Sequence, residues 1–305
     1  MASLPPYAGP GTIAWHYGFR LFCGLVLLFL ILPILVIIPL SFNAEPYFTY
    51  TKAMVTLQPE AYSWRWYMDI VTNGMAAPEN NVWSWSWLVD SWNNAQWIHA
   101  TKNSFIIAIF STLISTTLGT LAALGLTRPH MPFGKLIMAL LISPMIVPLI
   151  ISAAGMFFFY SSVNLSHTFP GIILAHAALG TPFVVITVTA TLAGFDSNLI
   201  RAAASLGASP PRTFFKVIVP LISPGVISGG LFAFVTSFDE VVVVLFLTGF
   251  EQRTVTRQMW AGVREQISPT ILAVATLLVL ISILLLTTLE LLRRRNERLR
   301  GLSAQ

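Results

Sequence analysis

Two adjacent carboxylates, Asp239 and Glu240, stand inside a run that is otherwise apolar: Phe234-Val235-Thr236-Ser237-Phe238-Asp239-Glu240-Val241-Val242. If Val226–Thr248 is one helix, both acids lie roughly ten residues from its outer end, about 15 Å at 1.5 Å per residue and close to mid-bilayer. A charge at that depth costs about 2.5–3.5 kcal/mol on insertion scales, so it is expected to face protein or water rather than lipid. Thr236 and Ser237, one turn earlier, would complete a polar stripe. The chemistry on offer is cation binding, as a cation-selective stretch of a translocation pathway or as a polar contact that holds a closed gate. A structural hydrogen bond or ion pair with a neighbouring helix is the plainer alternative. Successive helical residues point about 100° apart, so the two acids are not expected to play the same part.

Nothing else in the chain is arranged for chemistry. A Gly-x-x-x-x-Gly-Lys-Ser/Thr phosphate loop, a His-Glu-x-x-His zinc helix and a Gly-x-Ser-x-Gly elbow are all missing. Cys23 is the single cysteine, and His16, His99, His130, His167 and His176 are scattered rather than clustered. No catalytic residue, metal site or cofactor is therefore expected in this chain, and any ATP hydrolysis belongs to a separate subunit. His176, inside an apolar run, suits a hydrogen-bonded packing role better than a pathway lining. The formal net charge of +5 does not point to nucleic acid, because the basic residues sit at membrane edges, where they meet anionic lipid.

These residues must be positioned by membrane helices. Apolar residues make up 55% of the 305 and charged residues 10%, the composition of an integral membrane protein. Six stretches of roughly 20 residues qualify as spans: Leu21–Leu40, Phe105–Leu126, Leu136–Phe159, Ile172–Leu192, Val226–Thr248 and Ile271–Leu292. The expected fold is all-α and polytopic: a cytoplasmic N-terminus over 1–20, a six-helix domain over 21–292 and a basic tail over 293–305. Within the domain, 41–104 forms an extended outer loop. The first span is longer than a signal core and lacks a small-residue cleavage site, so it reads as a retained helix, kinked or tilted by Pro33 and Pro39. Lys and Arg placement puts both termini in the cytoplasm. The inner set is then Arg20, Arg128, Lys135, Arg201, Arg212, Lys216 and the Arg293–Arg300 cluster, while the outer loops hold most of the acids.

The segment 194–224 is polar and basic between two apolar spans. Asp196 or Ser197 can cap a helix from about Asn198 to Leu206, Gly207 can end it at positive φ, and Ser209-Pro210-Pro211 can start another. Pro220 and Pro224 are expected to break the chain as it re-enters the membrane. Ala202-Ala203, Gly207 and Val217-Ile218-Val219-Pro220 resemble the "EAA" coupling motif of ABC importer permeases: Glu-Ala-Ala, three residues, Gly, nine residues, Ile-x-Leu-Pro. The spacing fits throughout, and one position departs, since Arg201 replaces the leading Glu. The resemblance implies that Arg201, Ala202, Ala203, Gly207, Val217, Val219 and Pro220 form the handle by which a cytoplasmic ATPase moves the membrane helices.

Together with this loop, Thr236–Val243, Leu245–Gly249 and Ser268-Pro269 resemble permeases of spermidine/putrescine-type ABC importers, over roughly Asn103 to Leu292. The likeness implies a type I importer fold in a bacterial inner membrane. It also implies a second homologous permease, cytoplasmic ATPase subunits that hold the ATP, and a periplasmic solute-binding protein. The solute would be a small amine such as a polyamine, passing Thr236, Ser237, Asp239 and Glu240. The rival reading is a secondary transporter or channel that uses Asp239 and Glu240 for ion coupling. It leaves the loop motif unexplained, and six spans without an internal repeat make half of a usual transporter core. The outer loop holds seven of the nine tryptophans: Trp64, Trp66, Trp83, Trp85, Trp87, Trp92 and Trp97. Trp83, Trp85 and Trp87 alternate, which would place the rings on one side of an extended segment. An aromatic belt at the membrane boundary is the favoured reading, a protein-docking surface the other. Arg253–Gln266 suggests a second outer amphipathic helix.

Overall fold

The computed structural model describes residues 9–128, 130–265 and 268–299. In chain order the helices are α1 (Pro10–Leu40), α2 (Lys52–Val55), α3 (Arg65–Thr72), α4 (Trp85–Asn94), α5 (Gln96–Leu126), α6 (Gly134–Ile146), α7 (Leu149–Ser162) and α8 (Phe169–Ala193). They continue as α9 (Asn198–Ser205), α10 (Pro210–Thr213), α11 (Val219–Asp239), α12 (Val242–Leu247), α13 (Val255–Glu265) and α14 (Thr270–Leu299). Among the described residues there is no β-strand, only an isolated bridge between Asn43 and Tyr62. The protein is an all-α membrane protein. Four helical runs are long and apolar enough to cross a bilayer, Pro10–Leu40, Gln96–Leu126, Phe169–Ala193 and Pro210–Asp239, and a bent pair can be counted as a fifth. The expected last span falls on α14, whose described apolar part is Thr270–Leu284. The expected separate tail lies partly on the same helix, because the backbone stays helical to Leu299.

Three expected elements are built differently. Leu136–Phe159 is not one helix: it is α6 and α7, bent by 102°. Pro148 is the cause, since it lacks an N–H and drives Val147 to an extended φ, ψ of −70°, 135°. Pro220 and Pro224, by contrast, do not break the chain. Phe214–Ile218 is a π-helical turn in which the Val219 N–H reaches the Phe214 carbonyl, and Pro220 falls in the first turn of α11. The wider turn makes room for the ring where an α-helix would clash. The alternating tryptophans are not extended either. Ser84 caps α4 by accepting from the Trp87 N–H, so Trp87 is turned inward at 3% exposure and Trp85 outward at 80%.

The chain forms two compact units, residues 1–72 with 262–305, and residues 73–261. In the first, α14 packs on α1 and α3, and the Thr270 hydroxyl donates to Asp69 Oδ2 at 2.6 Å. The residues of this unit that follow α1, expected to begin an extended outer loop, are held by buried hydrogen bonds. Asn43 is fully buried, its Nδ2 donates to the Tyr47 and Thr49 carbonyls, and its own carbonyl accepts from Trp66 Nε1.

The second unit is a close-packed trio of α5, α8 and α11. Small residues set the approach, as in membrane bundles where apolar burial alone gives no helix-helix drive. A Cβ on Gly119 would lie 2.7 Å from Val184 Cβ, and one on Gly180 would meet Ser115 Oγ at 2.7 Å. Gly225 and Gly229, four apart on α11, lie against Thr191, Thr187 and Val184 of α8. These pairings make α8 parallel to α5 and antiparallel to α11. Leu126, Ala193 and Val219 therefore share one end of the unit. The α6–α7 pair connects that end to the other, where Ala153, Ala175, Leu179, Val243 and Leu247 join α7, α8 and α12 in one apolar cluster.

Candidate functional site

The two carboxylates sit at a helix end, not in the middle of a helix. The α11 stretch Val219–Asp239 has 21 residues, so it is about 30 Å long, the thickness of a hydrocarbon core. Glu240 then turns extended at φ, ψ of −70°, 125°, and the chain restarts as α12. The single continuous helix expected over Val226–Thr248 is therefore not formed: the residues after Asp239 do not extend the axis of α11.

The break separates the roles of the two acids. Asp239 is exposed, and among the described residues no cation pairs with it. Glu240 is buried, and its Oε1 accepts from the Val243 N–H at 2.9 Å, satisfying an orphan amide at the start of α12. Its carbonyl accepts from the Thr256 hydroxyl at 2.9 Å. Glu240 is thus a local cap, and Asp239 stays exposed. The polar stripe expected around them is also divided. Thr236 is half-buried, whereas Ser237 is buried between helices, 2.9 Å from Ser111 Oγ of α5 and 2.8 Å from His176 Nδ1 of α8. Ser237 and His176 belong to an interhelical hydrogen-bond network and line no open surface.

Sequence reasoning missed the polar clamp that holds the chain beyond α12. Asn103 Nδ2 on α5 donates to the Glu251 and Arg253 carbonyls at 2.7 and 2.9 Å, and Ser104 Oγ accepts from the Val255 N–H at 2.9 Å. Arg257 donates to the Thr248 hydroxyl and to the Thr248 and Gly249 carbonyls. Burial, and secondarily the charge of Arg253, holds the Arg257 guanidinium below its ordinary range. The available signal was the pair Asn103-Ser104 at the head of an apolar span, where polar side chains need partners.

At the opposite end lies the segment 194–224. Asp196 rather than Ser197 supports the start of α9, its Oδ1 accepting from the Asn198 N–H at 2.9 Å. The helix closes with the Ala208 N–H on the Ala203 carbonyl and the Gly207 N–H on the Ala204 carbonyl. That is a Schellman closure, and it requires Gly207 in the left-handed region, where φ is 77°. Arg201 and Ala202 are exposed and Ala203 is half-buried. Leu199 and Leu206 are 42% and 88% exposed, so α9 presents a bare, partly apolar face. Val217 and Val219 are half-buried and Pro220 exposed, one short helix further along.

Residues 115–298 match the family described as binding-protein-dependent transport system inner membrane component. The chain belongs to this family. As a permease it is similar to the spermidine/putrescine transport system permease protein PotC of Haemophilus influenzae, with 29% identity over 276 residues, 90% of this chain and 96% of the relative. Escherichia coli PotC is 31% identical over 202 residues, 66% of this chain and 76% of that protein. The putrescine transport system permease protein PotI of Escherichia coli is 31% identical over 182 residues, 57% and 65% of the two chains. In three dimensions the permease resembles a chain of a bacterial ABC transporter involved in the import of the acidic polysaccharide alginate. The TM-score is 0.68 at 13% identity, covering 94% of this chain and 99% of that one, a likeness of fold alone.

The protein is therefore a multi-pass inner-membrane permease subunit of a binding-protein-dependent ABC importer, and a self-sufficient ion-coupled transporter is not favoured. In this permease, Arg201, Ala202, Ala203 and Gly207 come together on one short helix and its closure. Asp239 and Glu240 stand side by side at the end of α11 but face different surroundings.

Proposed function

We propose that this permease carries a small amine-bearing cation, such as a polyamine, and is driven by ATP hydrolysed on separate cytoplasmic subunits. The observation that carries the solute class is Asp239, an exposed carboxylate at the end of α11 in a chain whose relatives are named for spermidine and putrescine. A fixed negative charge there offsets part of the hydration that a cation loses on entering the pathway, without a well so deep that release is slowed. The bare face of α9 supports the site for the ATPase, with Arg201 meeting an acidic surface and the small Ala202 and Ala203 allowing close approach. Closure of the ATPase dimer pulls on α9, and through α10 and the π turn the pull reaches α11, the helix that ends in Asp239. A second, homologous permease completes the cavity, a periplasmic binding protein delivers the solute, and both termini face the cytoplasm. The test is uptake of radiolabelled putrescine, spermidine and a neutral amino acid by the assembled importer. Uptake of the two amines, lowered by Asp239→Asn, is expected; transport of the neutral solute alone would refute the cationic class.

A further inference from the structure

A cavity of about 480 Å³ opens where α5 ends and α6 begins, within the range of about 300–1,000 Å³ usual for small-molecule sites. Two cations line it, Arg128 and Lys135, together with the apolar side chains of Leu126, Met131 and Met138. No carboxylate is among the lining residues, and among the described residues none pairs with either cation. Thr189 of α8 completes the wall, and its hydroxyl is buried without a hydrogen-bond partner. The rim also carries the start of α6, where Phe133 is left-handed at φ 53° and no side chain caps the first turn. Free first-turn amides add a partial positive charge to that of the two side chains.

This chemistry selects an anion with several acceptor oxygens, and a phosphate group has them. The neighbouring surface says what the phosphate is attached to. Leu121, Leu136 and Leu140, on the two helices that flank the cavity, are 56%, 59% and 63% exposed. A free phosphate has no use for such a surface, whereas the acyl chains of a lipid lie along it. We propose that the cavity between α5 and α6 binds the phosphate headgroup of an anionic phospholipid, with Arg128 and Lys135 on the phosphate and the acyl chains along Leu121, Leu136 and Leu140. The site is at the end of the bundle that carries α9 and involves none of the residues assigned to transport.

The experiment uses the full chain in neutral detergent, with phosphatidylglycerol, phosphatidylcholine and inorganic phosphate as separate probes and bound lipid counted by native mass spectrometry. Phosphatidylglycerol is expected to bind in preference to phosphatidylcholine, and inorganic phosphate is expected not to displace it. The variant with Arg128→Gln and Lys135→Gln should bind phosphatidylglycerol about 30-fold more weakly, the sum of two cations acting near a membrane surface. The charge-keeping variant with Arg128→Lys and Lys135→Arg should stay close to the unaltered chain, and equal far-UV circular dichroism checks that both variants fold. Unchanged phosphatidylglycerol affinity in the Gln variant, or equal binding of phosphatidylcholine, would overturn the site. Displacement by inorganic phosphate would overturn the lipid assignment.

Discussion

Asp239 and Glu240 are neighbours in sequence with different surroundings, because the helix ends between them. The Glu240 carboxylate is used up by the amide of Val243, and Asp239 is left exposed. Asp239→Asn keeps the size and removes the charge, so uptake of a cationic solute should fall while the amount of assembled complex holds. Glu240→Gln weakens a charge-assisted cap, at a cost of about 0.5–2 kcal/mol, and should appear as lower thermal stability. Measuring uptake per assembled complex and the melting temperature for both variants separates the two; the reverse pattern would contradict the division of roles. At Ser237, replacement by Ala removes a partner from His176 Nδ1, which is buried. Leaving that nitrogen unpaired should destabilise the bundle by about 1–3 kcal/mol, read as a lower unfolding midpoint.

At the scale of elements, two glycines do different work. Gly207 has nothing within 4 Å of where a Cβ would stand, so its role is conformational, set by φ of 77°. Gly207→Val should strain that turn by about 1–3 kcal/mol, misplace α10 and lower both transport and copurification of an ATPase, while the chain still inserts. Gly229 is constrained by packing instead: a Cβ there would collide with Thr187 Oγ1 and lie 2.8 Å from Val184 Cα. Gly229→Ala should push α8 and α11 apart and lower stability by about 1–3 kcal/mol, and an unchanged melting temperature would refute that close contact. The helix α9 was legible in the sequence because its signals are local: an Asx start, a glycine stop and a Pro-Pro restart. The break after Asp239 was not legible, since Phe238–Leu247 contains neither Gly nor Pro. It is enforced by tertiary packing of α12 on α7 and α8 and by the clamp from Asn103, Ser104 and Thr256. The bend at Pro148 was marked by the residue itself, but apolar length outweighed it in counting spans. The helical fold of Trp85–Asn94 was obscured by an alternation that also suits a strand.

At the scale of the whole molecule, the exposed acid Asp239 stands at one end of the α5–α8–α11 trio and the bare helix α9 at the other, joined by one helical run from Pro210 to Asp239. It carries no phosphate loop of its own. On the proposed function, movement of the solute depends on chains that bind to this one, as the family description of a binding-protein-dependent transport system suggests. The most direct measurement is uptake of radiolabelled spermidine into proteoliposomes that contain the permease pair and its ATPase, with the binding protein outside and ATP inside. The expected result is uptake that requires both ATP and the binding protein, persists with a protonophore and falls when Asp239→Asn is introduced. Spermidine uptake by this chain alone, driven by an ion gradient and abolished by the protonophore, would contradict it.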